Sequence, residues 1–249
     1  MRKIYQNGWH GIPFKSFSRI SSVLLADSDF YKHFYRALFK KYNNPSDLEP
    51  EWLELKTQVA EFIKEHIGKN KNSDILSVGC GLGIVEKALL GEGYQNLEVT
   101  EVSEDPLSWL RQSIAPDKVH IGNFPDCLSD NRTYDFIYLC SVEYFLDQEG
   151  FISLLKNVKT RLRAGGKCII ISWSFESFNL MPRINVMLKD SAKLILEKIG
   201  IKHRGQFWGY LRSRIEFFEA MRAAGFIEVN DGLLEKKTRW DTYWIEGKV

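Results

Sequence analysis

The sequence is poor in the features that mark several classes of protein. Its four cysteines, Cys80, Cys127, Cys140 and Cys168, form no Cys-x-x-Cys pair, so neither a zinc site nor a redox dithiol is expected. Cys140 and Cys168 lie inside apolar runs and read as buried thiols. No apolar run approaches the roughly 18 residues that cross a bilayer. The N-terminal Met1-Arg-Lys-Ile-Tyr-Gln-Asn lacks the apolar centre of a secretory leader. Basic and acidic side chains nearly balance, 34 against 32, for a formal net charge of +2. No global field therefore pulls the chain toward nucleic acid or an anionic membrane. Repeats and low-complexity segments are absent. The expectation is a soluble, reduced, cytoplasmic protein with no membrane and no nucleic-acid partner. Its 249 residues, 44% of them hydrophobic, suffice for one sizeable α/β domain with an appendage.

The most informative stretch is Asp74-Ile-Leu-Ser-Val-Gly-Cys-Gly-Leu-Gly83. An apolar strand runs into three alternate glycines, and the following Ile84-Val-Glu-Lys-Ala-Leu-Leu90 reads as a helix. Glycine lets the backbone take positive φ and lets a ligand lie against bare main chain. The spacing is Gly-x-Gly-x-Gly, not the Gly-x-Gly-x-x-Gly that cradles a pyrophosphate. A ligand without phosphates has no need of the helix N-terminus as an anion site.

From Asp74 onward strands and helices alternate. Strands are expected at Ile75–Val78, Leu97–Val102, Val119–Ile121, Phe136–Cys140 and Lys167–Trp173, and helices at Gly83–Leu90, Asp105–Ile114 and Gln148–Leu162. Such alternation calls for a parallel sheet covered by helices on both faces. After Trp173 it is interrupted by a helix over Ile184–Ile199 and a loop with Phe207-Trp208. A helix at Arg212–Ala224 and a terminal strand pair, Phe226–Val229 and Arg239–Ile245, then add one antiparallel strand. Residues 1–73 read as a helical, aromatic-rich N-terminal cap, with helices starting near Ser28 or Asp29 and near Glu51. Residues 74–249 read as the core, with an insertion at about 175–208 as a lid.

The glycine run resembles motif I of the class I S-adenosylmethionine-dependent methyltransferases, and four further features fall where that family places them. Glu101 ends the second strand, where the resemblance puts a carboxylate on the ribose hydroxyls, next to Val102. Gly122-Asn123-Phe124 resembles the Gly-Asp segment beside the adenine; Asn123 replaces the acid, and its amide oxygen can still accept from the exocyclic amine. Cys140-Ser141 is similar to the loop whose backbone passes beneath the methionine part. Leu162-Arg-Ala-Gly-Gly-Lys167 resembles the Leu-Lys-Pro-Gly-Gly turn and carries no chemistry. The resemblance implies a Rossmann-like, seven-stranded, mostly parallel, doubly wound α/β sheet of order 3-2-1-4-5-7-6. It also implies S-adenosyl-L-methionine as cofactor, no metal, and Gly79, Cys80, Gly81 and Gly83 as the donor corner.

Methyl transfer needs alignment of acceptor and donor, exclusion of water and sometimes a base. Tyr144 stands where relatives carry His or Glu, and reads either as an aromatic wall or as a group that orients the acceptor. Of five histidines, His10, His33 and His203 lie in segments that would cover the site, and His10 is the first candidate for a catalytic role. His66 and His120 read as surface and structural residues. The cations of the insertion, Arg183, Lys189, Lys193, Lys198, Lys202, Arg204, Arg212 and Arg214, read mostly as solvated. A small-molecule acceptor fits the two covering segments. An RNA or protein methyltransferase, and a non-catalytic S-adenosylmethionine-binding module, remain alternatives. At the end of the fourth strand Cys140-Ser-Val-Glu143 stands in place of the Asn-Pro-Pro-Tyr type of tetrapeptide used on flipped bases.

Overall fold

The computed structural model describes residues 1–174, 204–235 and 241–249. The expected helix at Ile184–Ile199, the start of the last strand at Arg239, and Phe175, Phe178, His203, Arg183, Lys189, Lys193, Lys198 and Lys202 lie outside the described residues.

In chain order the structure opens with three short strands, β1 (Arg2–Gln6), β2 (Gly8–Trp9) and β3 (Ile12–Pro13), then two helices, α1 (Ser28–Lys41) and α2 (Pro50–Ile67). The core follows as β4 (Ile75–Val78), α3 (Ile84–Gly91), β5 (Leu97–Glu101), β6 (Val119–Ile121), β7 (Tyr134–Cys140), α4 (Gln148–Thr160) and β8 (Leu162–Ser174). After residues 175–203 come β9 (Gln206–Leu211), α5 (Arg214–Ala223), β10 (Ile227–Glu235) and β11 (Asp241–Lys248).

Seven strands form one sheet in the order β6-β5-β4-β7-β8-β11-β10. Counted along the core, this is the expected 3-2-1-4-5-7-6. β4 pairs in parallel with β5 and β7, and only β11 runs against its neighbours. Period-two alternation splits the side chains between two layers. Ile75, Val99, Phe136, Tyr138, Ile169 and Ile171 pack on Leu55, Val59 and Ile63 of α2 and on Val85 and Leu89 of α3. The intervening Leu76, Val78, Ile137, Leu139 and Ile170 pack on Phe151, Leu155 and Val158 of α4 and on Phe217, Ala220 and Met221 of α5.

Local chemistry sets the helix ends. The Asp27 carboxylate accepts from Phe30 N–H at 2.8 Å and starts α1, one residue before the expected cap. Lys40 and Lys41 sit in its last turn, where the helix dipole favours cations. Pro50 occupies the first position of α2, Asp147 caps α4, and Ser213 and Glu216 form a capping box on α5.

Three expectations need correction. The N-terminal segment is not all helical: β1 pairs antiparallel with β9, Arg2 opposite Leu211 and Gln6 opposite Gln206. Phe207-Trp208 is accordingly in a strand, not a loop. The segment expected as a helix at Asp105–Ile114 forms two 3-10 turns, Asp105–Ser108 and Leu110–Gln112. Pro106 has no N–H to donate, so it suits only the first turn of such a segment.

At the edge of the sheet where β5 begins, Glu98 is nearly buried. It accepts from the Tyr134 hydroxyl at 2.8 Å, pairs with His120 Nε2 at 2.9 Å, and is bridged by Arg132. Burial pushes this carboxyl up, but the hydrogen bonds from Arg132, His120 and Tyr134 outweigh it and hold it below its ordinary value. A depressed carboxyl adds stability above its unfolded value and loses it as pH falls through the folded one. Urea denaturation across about pH 3–7 should therefore show a steeper acid loss in the native protein than in Glu98→Gln.

Candidate active site

All the parallel strands end at one edge of the sheet, and a cavity of about 490 Å³ opens there. Its floor is the turn after β4, where Gly79, Gly81 and Gly83 take φ of 70°, 55° and 69°. The three glycines are not equivalent. A Cβ on Gly79 would lie 2.7 Å from Val142, and one on Gly83 2.6 Å from Leu110, so packing of the chain on itself demands both. A Cβ on Gly81 would meet only the Tyr35 hydroxyl, at 3.9 Å. Bare main chain is presented to the cavity at Gly81.

Glu101 reaches from the end of β5 to this corner. Its Oε2 accepts from Gly81 N–H and its Oε1 from Val102 N–H, both at 2.8 Å. Burial pushes the carboxyl up, and the two amides pull back only part of that rise. Each oxygen retains a lone pair for a ligand hydroxyl. Asn123 and Phe124, after β6, and Cys140 and Ser141, after β7, line the same cavity. Ser141 takes a left-handed φ of 58°, while its N–H donates to Ile171 O at 2.9 Å.

The upper wall is aromatic. Trp9, Tyr31, Tyr35 and Trp52 come from the N-terminal segment, Tyr144 and Phe145 from the turn after β7, and Trp208 from β9. Tyr144 stacks parallel to Trp208, with centroids 6.3 Å apart and an interplanar angle of 14°. Burial raises its phenol well above the ordinary value. Burial thus favours the protonated, hydrogen-bond-donating form of the phenol.

All the predicted site residues line the cavity except His10. That imidazole is buried behind the wall, stacked on Trp9 and edge-on to Trp52, with Nδ1 2.5 Å from Glu49 Oε2. Burial lowers its pKa, against the pull of Glu49. Elsewhere, His33 is exposed on α1, His66 packs on Phe62 and Trp244, and His120 bonds Glu98.

Sequence reasoning missed Lys56, Glu86 and Thr242, which also line the cavity. Glu86 is 2% exposed, and its Oε1 accepts from Ser77 Oγ at 2.6 Å and from the Tyr138 hydroxyl at 2.8 Å. Burial, the dominant influence, raises its pKa. Lys56 carried a legible signal, being the cation in the apolar stripe Trp52, Leu55, Val59, Ile63 of α2.

Arg212 and Arg214 depart from the expectation of solvated cations. Arg214 forms a forked pair with Asp231. Arg212 is 1% exposed and donates to the carbonyls of Glu143 (2.9 Å), Leu146 (2.5 Å) and Asp147 (2.8 Å) and to Gln148 Oε1 (3.0 Å). It thereby ties the end of β9 to the turn that carries Tyr144.

A strand, a glycine corner, a strand-end carboxylate on that corner and a roofed cavity define a class of nucleoside-type binding domain on a doubly wound sheet. Comparison with known proteins narrows it: residues 51–228 match the methyltransferase domain family, and the chain belongs to it. N-terminal Xaa-Pro-Lys N-methyltransferase 2 of Danio rerio is 24% identical over 118 residues, 44% of this chain and 42% of the relative. N-terminal Xaa-Pro-Lys N-methyltransferase 1 of Xenopus tropicalis is 22% identical over 145 residues, 55% of this chain and 64% of the relative. The chain thus spans about half the length of these relatives. Among solved structures, magnesium protoporphyrin IX methyltransferase from Synechocystis with bound SAH shares the fold at TM-score 0.55 and 14% identity, covering 79% of this chain and 82% of that one. A SAM-dependent methyltransferase from Archaeoglobus fulgidus aligns at TM-score 0.56 and 15% identity, covering 78% and 94%.

The residues present fit the family's cofactor. Gly81 offers a cradle that any side chain would fill, and Glu101 offers two remaining lone pairs beside it.

Removing the Arg212 guanidinium leaves the Leu146 carbonyl unmet, at about 1–3 kcal/mol, and takes one of two hydrogen bonds from each of the Glu143 and Asp147 carbonyls, which keep the N–H of Leu146 and Phe151. Arg212→Met should lower unfolding free energy by about 3 kcal/mol in urea titrations. A loss below about 0.5 kcal/mol would show that the clamp contributes nothing.

Proposed function

We propose that this chain transfers a methyl group from S-adenosyl-L-methionine to a small-molecule acceptor by in-line displacement. The observation that carries the reading is the aromatic roof over the glycine corner, which encloses a cavity large enough for donor and small acceptor together. When bound, the cofactor supplies a methyl carbon made electrophilic by its sulfonium.

In this reading the chain's own residues bind, orient and keep water out. The main chain at Gly79, Cys80, Gly81 and Gly83 supports the donor, and Glu101 accepts from both ribose hydroxyls. Asn123 reads the adenine amine through its amide oxygen, flanked by Val102 and Phe124. Backbone at Cys140 and Ser141 lies beneath the methionine part. Tyr144 takes the acceptor-facing position as a hydrogen-bond donor that orients the substrate. His10, screened by Trp9 and Trp52, holds the roof and takes no proton from the acceptor. The N-terminal segment and β9 act as the acceptor cover, and burial of both reactants removes the competing nucleophile, water.

A peptide amine is the second reading, favoured by the names of the two relatives above. Incubation with S-adenosylmethionine labelled on the methyl separates the two. Label in low-mass extract components is expected. Label confined to a peptide beginning Xaa-Pro-Lys, or to RNA, would transfer the proposal to a macromolecular acceptor, and no label at all would leave a binding module. Glu101→Ala removes two charge-assisted hydrogen bonds of about 1.5–3 kcal/mol each. Donor affinity should fall by about a hundredfold to ten-thousandfold in calorimetry, with the circular dichroism of the native fold retained.

A further inference from the structure

Lys56 is the one cation among the described residues lining the cavity. It projects from α2 and is half-buried. Its described contacts are Cys140 Sγ at 3.2 Å and the Trp52 ring, 5.2 Å to the centroid. Among the described residues no carboxylate pairs with it. Glu86, which feels its charge, has Oε1 occupied by Ser77 and Tyr138. An ammonium stripped of part of its hydration and given no counter-ion is costly, and a bound anion removes that cost.

A second observation comes from the sheet. Cys140 lies opposite Ile171, and Trp173 lies opposite Thr242. By strand alternation Cys140, Ile171, Trp173 and Thr242 share one face, and all four line the cavity. The Thr242 Oγ1 is buried there without a hydrogen-bond partner among the described residues. A hydroxyl in that state is a vacant donor for a ligand oxygen. This lobe lies on β7, β8 and β11, across β4 from Glu101, and Cys140, placed above beneath the methionine part of the donor, forms its near edge.

We infer that Lys56 forms an anion subsite for the methyl acceptor, and that the acceptor is a flat carboxylic acid lying against Trp52 and Trp173. The inference rests on the methyl-transfer reading above and adds the acceptor's charge and shape. Lys56 pairs with the carboxylate, the indoles cover the ring, and Thr242 donates to a polar edge.

The test uses the full-length protein saturated with S-adenosylhomocysteine and two probes of equal shape, indole-3-acetate and its neutral amide, indole-3-acetamide. Calorimetry should show the acid binding at least tenfold tighter than the amide. Lys56→Met should erase that preference while leaving the amide and S-adenosylhomocysteine within twofold of their native affinities. An acid that fails to bind, equal binding of acid and amide, or a preference surviving in Lys56→Met overturns the inference. So does a tenfold loss of S-adenosylhomocysteine affinity in Lys56→Met with 5′-methylthioadenosine unaffected, because Lys56 would then serve the donor's own carboxylate. If the native protein binds no S-adenosylhomocysteine, the underlying methyl-transfer reading fails instead, and this inference with it.

Discussion

The guanidinium of Arg212 occupies the gap between β9 and the turn after β7, donating to three carbonyls, of which those of Glu143 and Asp147 also accept from the N–H of Leu146 and Phe151. Its counterpart is Glu101, which accepts two amides at the glycine corner. A parallel sheet delivers all its strand-end loops to one edge, and those loops carry backbone groups that no ladder pairs. The buried guanidinium of Arg212 and the half-buried carboxylate of Glu101 serve them here, one donating to carbonyls and the other accepting from amides. The cavity is what remains between the two sets of pinned loops.

Above those loops the N-terminal segment is held by rings stacked on rings. Phe14 lies parallel to Trp208 at 4.9 Å, Trp9 parallel to Phe34 at 5.0 Å, and Phe30 and Tyr31 close on Trp208 edge-on or tilted. Each such pair is worth about 0.5–1.5 kcal/mol beyond its area burial. Trp208 is the hub, and Gly209 lets β9 pass so close to the Tyr144 carbonyl that a Cβ would sit 2.4 Å from it. The roof therefore docks on the turn that Arg212 fixes, and the position of Tyr144 depends on both.

How much of this was legible in the chain follows the range of the interactions. β4, β6 and the glycine corner were read to the residue, because a short buried run with three apolar residues leading into Gly79, Gly81 and Gly83 has few other solutions. The sheet order came with the family resemblance rather than from periodicity. β1 escaped notice because Arg-Lys-Ile-Tyr-Gln becomes a strand only through β9, some two hundred residues away. Arg212 read as one solvated cation among many, since nothing local marks a guanidinium that will be buried against carbonyls of another loop. Glu86 and Thr242 were hidden in the same way, each inside an ordinary helix or strand pattern. His10 drew attention as a histidine in a segment expected to cover the site, yet its ring is used to brace Trp9 and Trp52.

The pairing of β1 with β9 also bears on the order of events as the chain folds. The core from β4 to β8 is contiguous in sequence and can collapse early, whereas Arg2–Gln6 must wait for a partner at Gln206–Leu211. Contacts of such separation pay nearly the whole loop-closure entropy before they gain anything, so they form late. The same bonds are the first to open from the native side, since local openings start where few elements tie a segment down. Amide hydrogens of β1 should thus exchange faster than those of β4 and β7. A chamber whose floor outlives its roof can admit and release reactants without disturbing the sheet beneath.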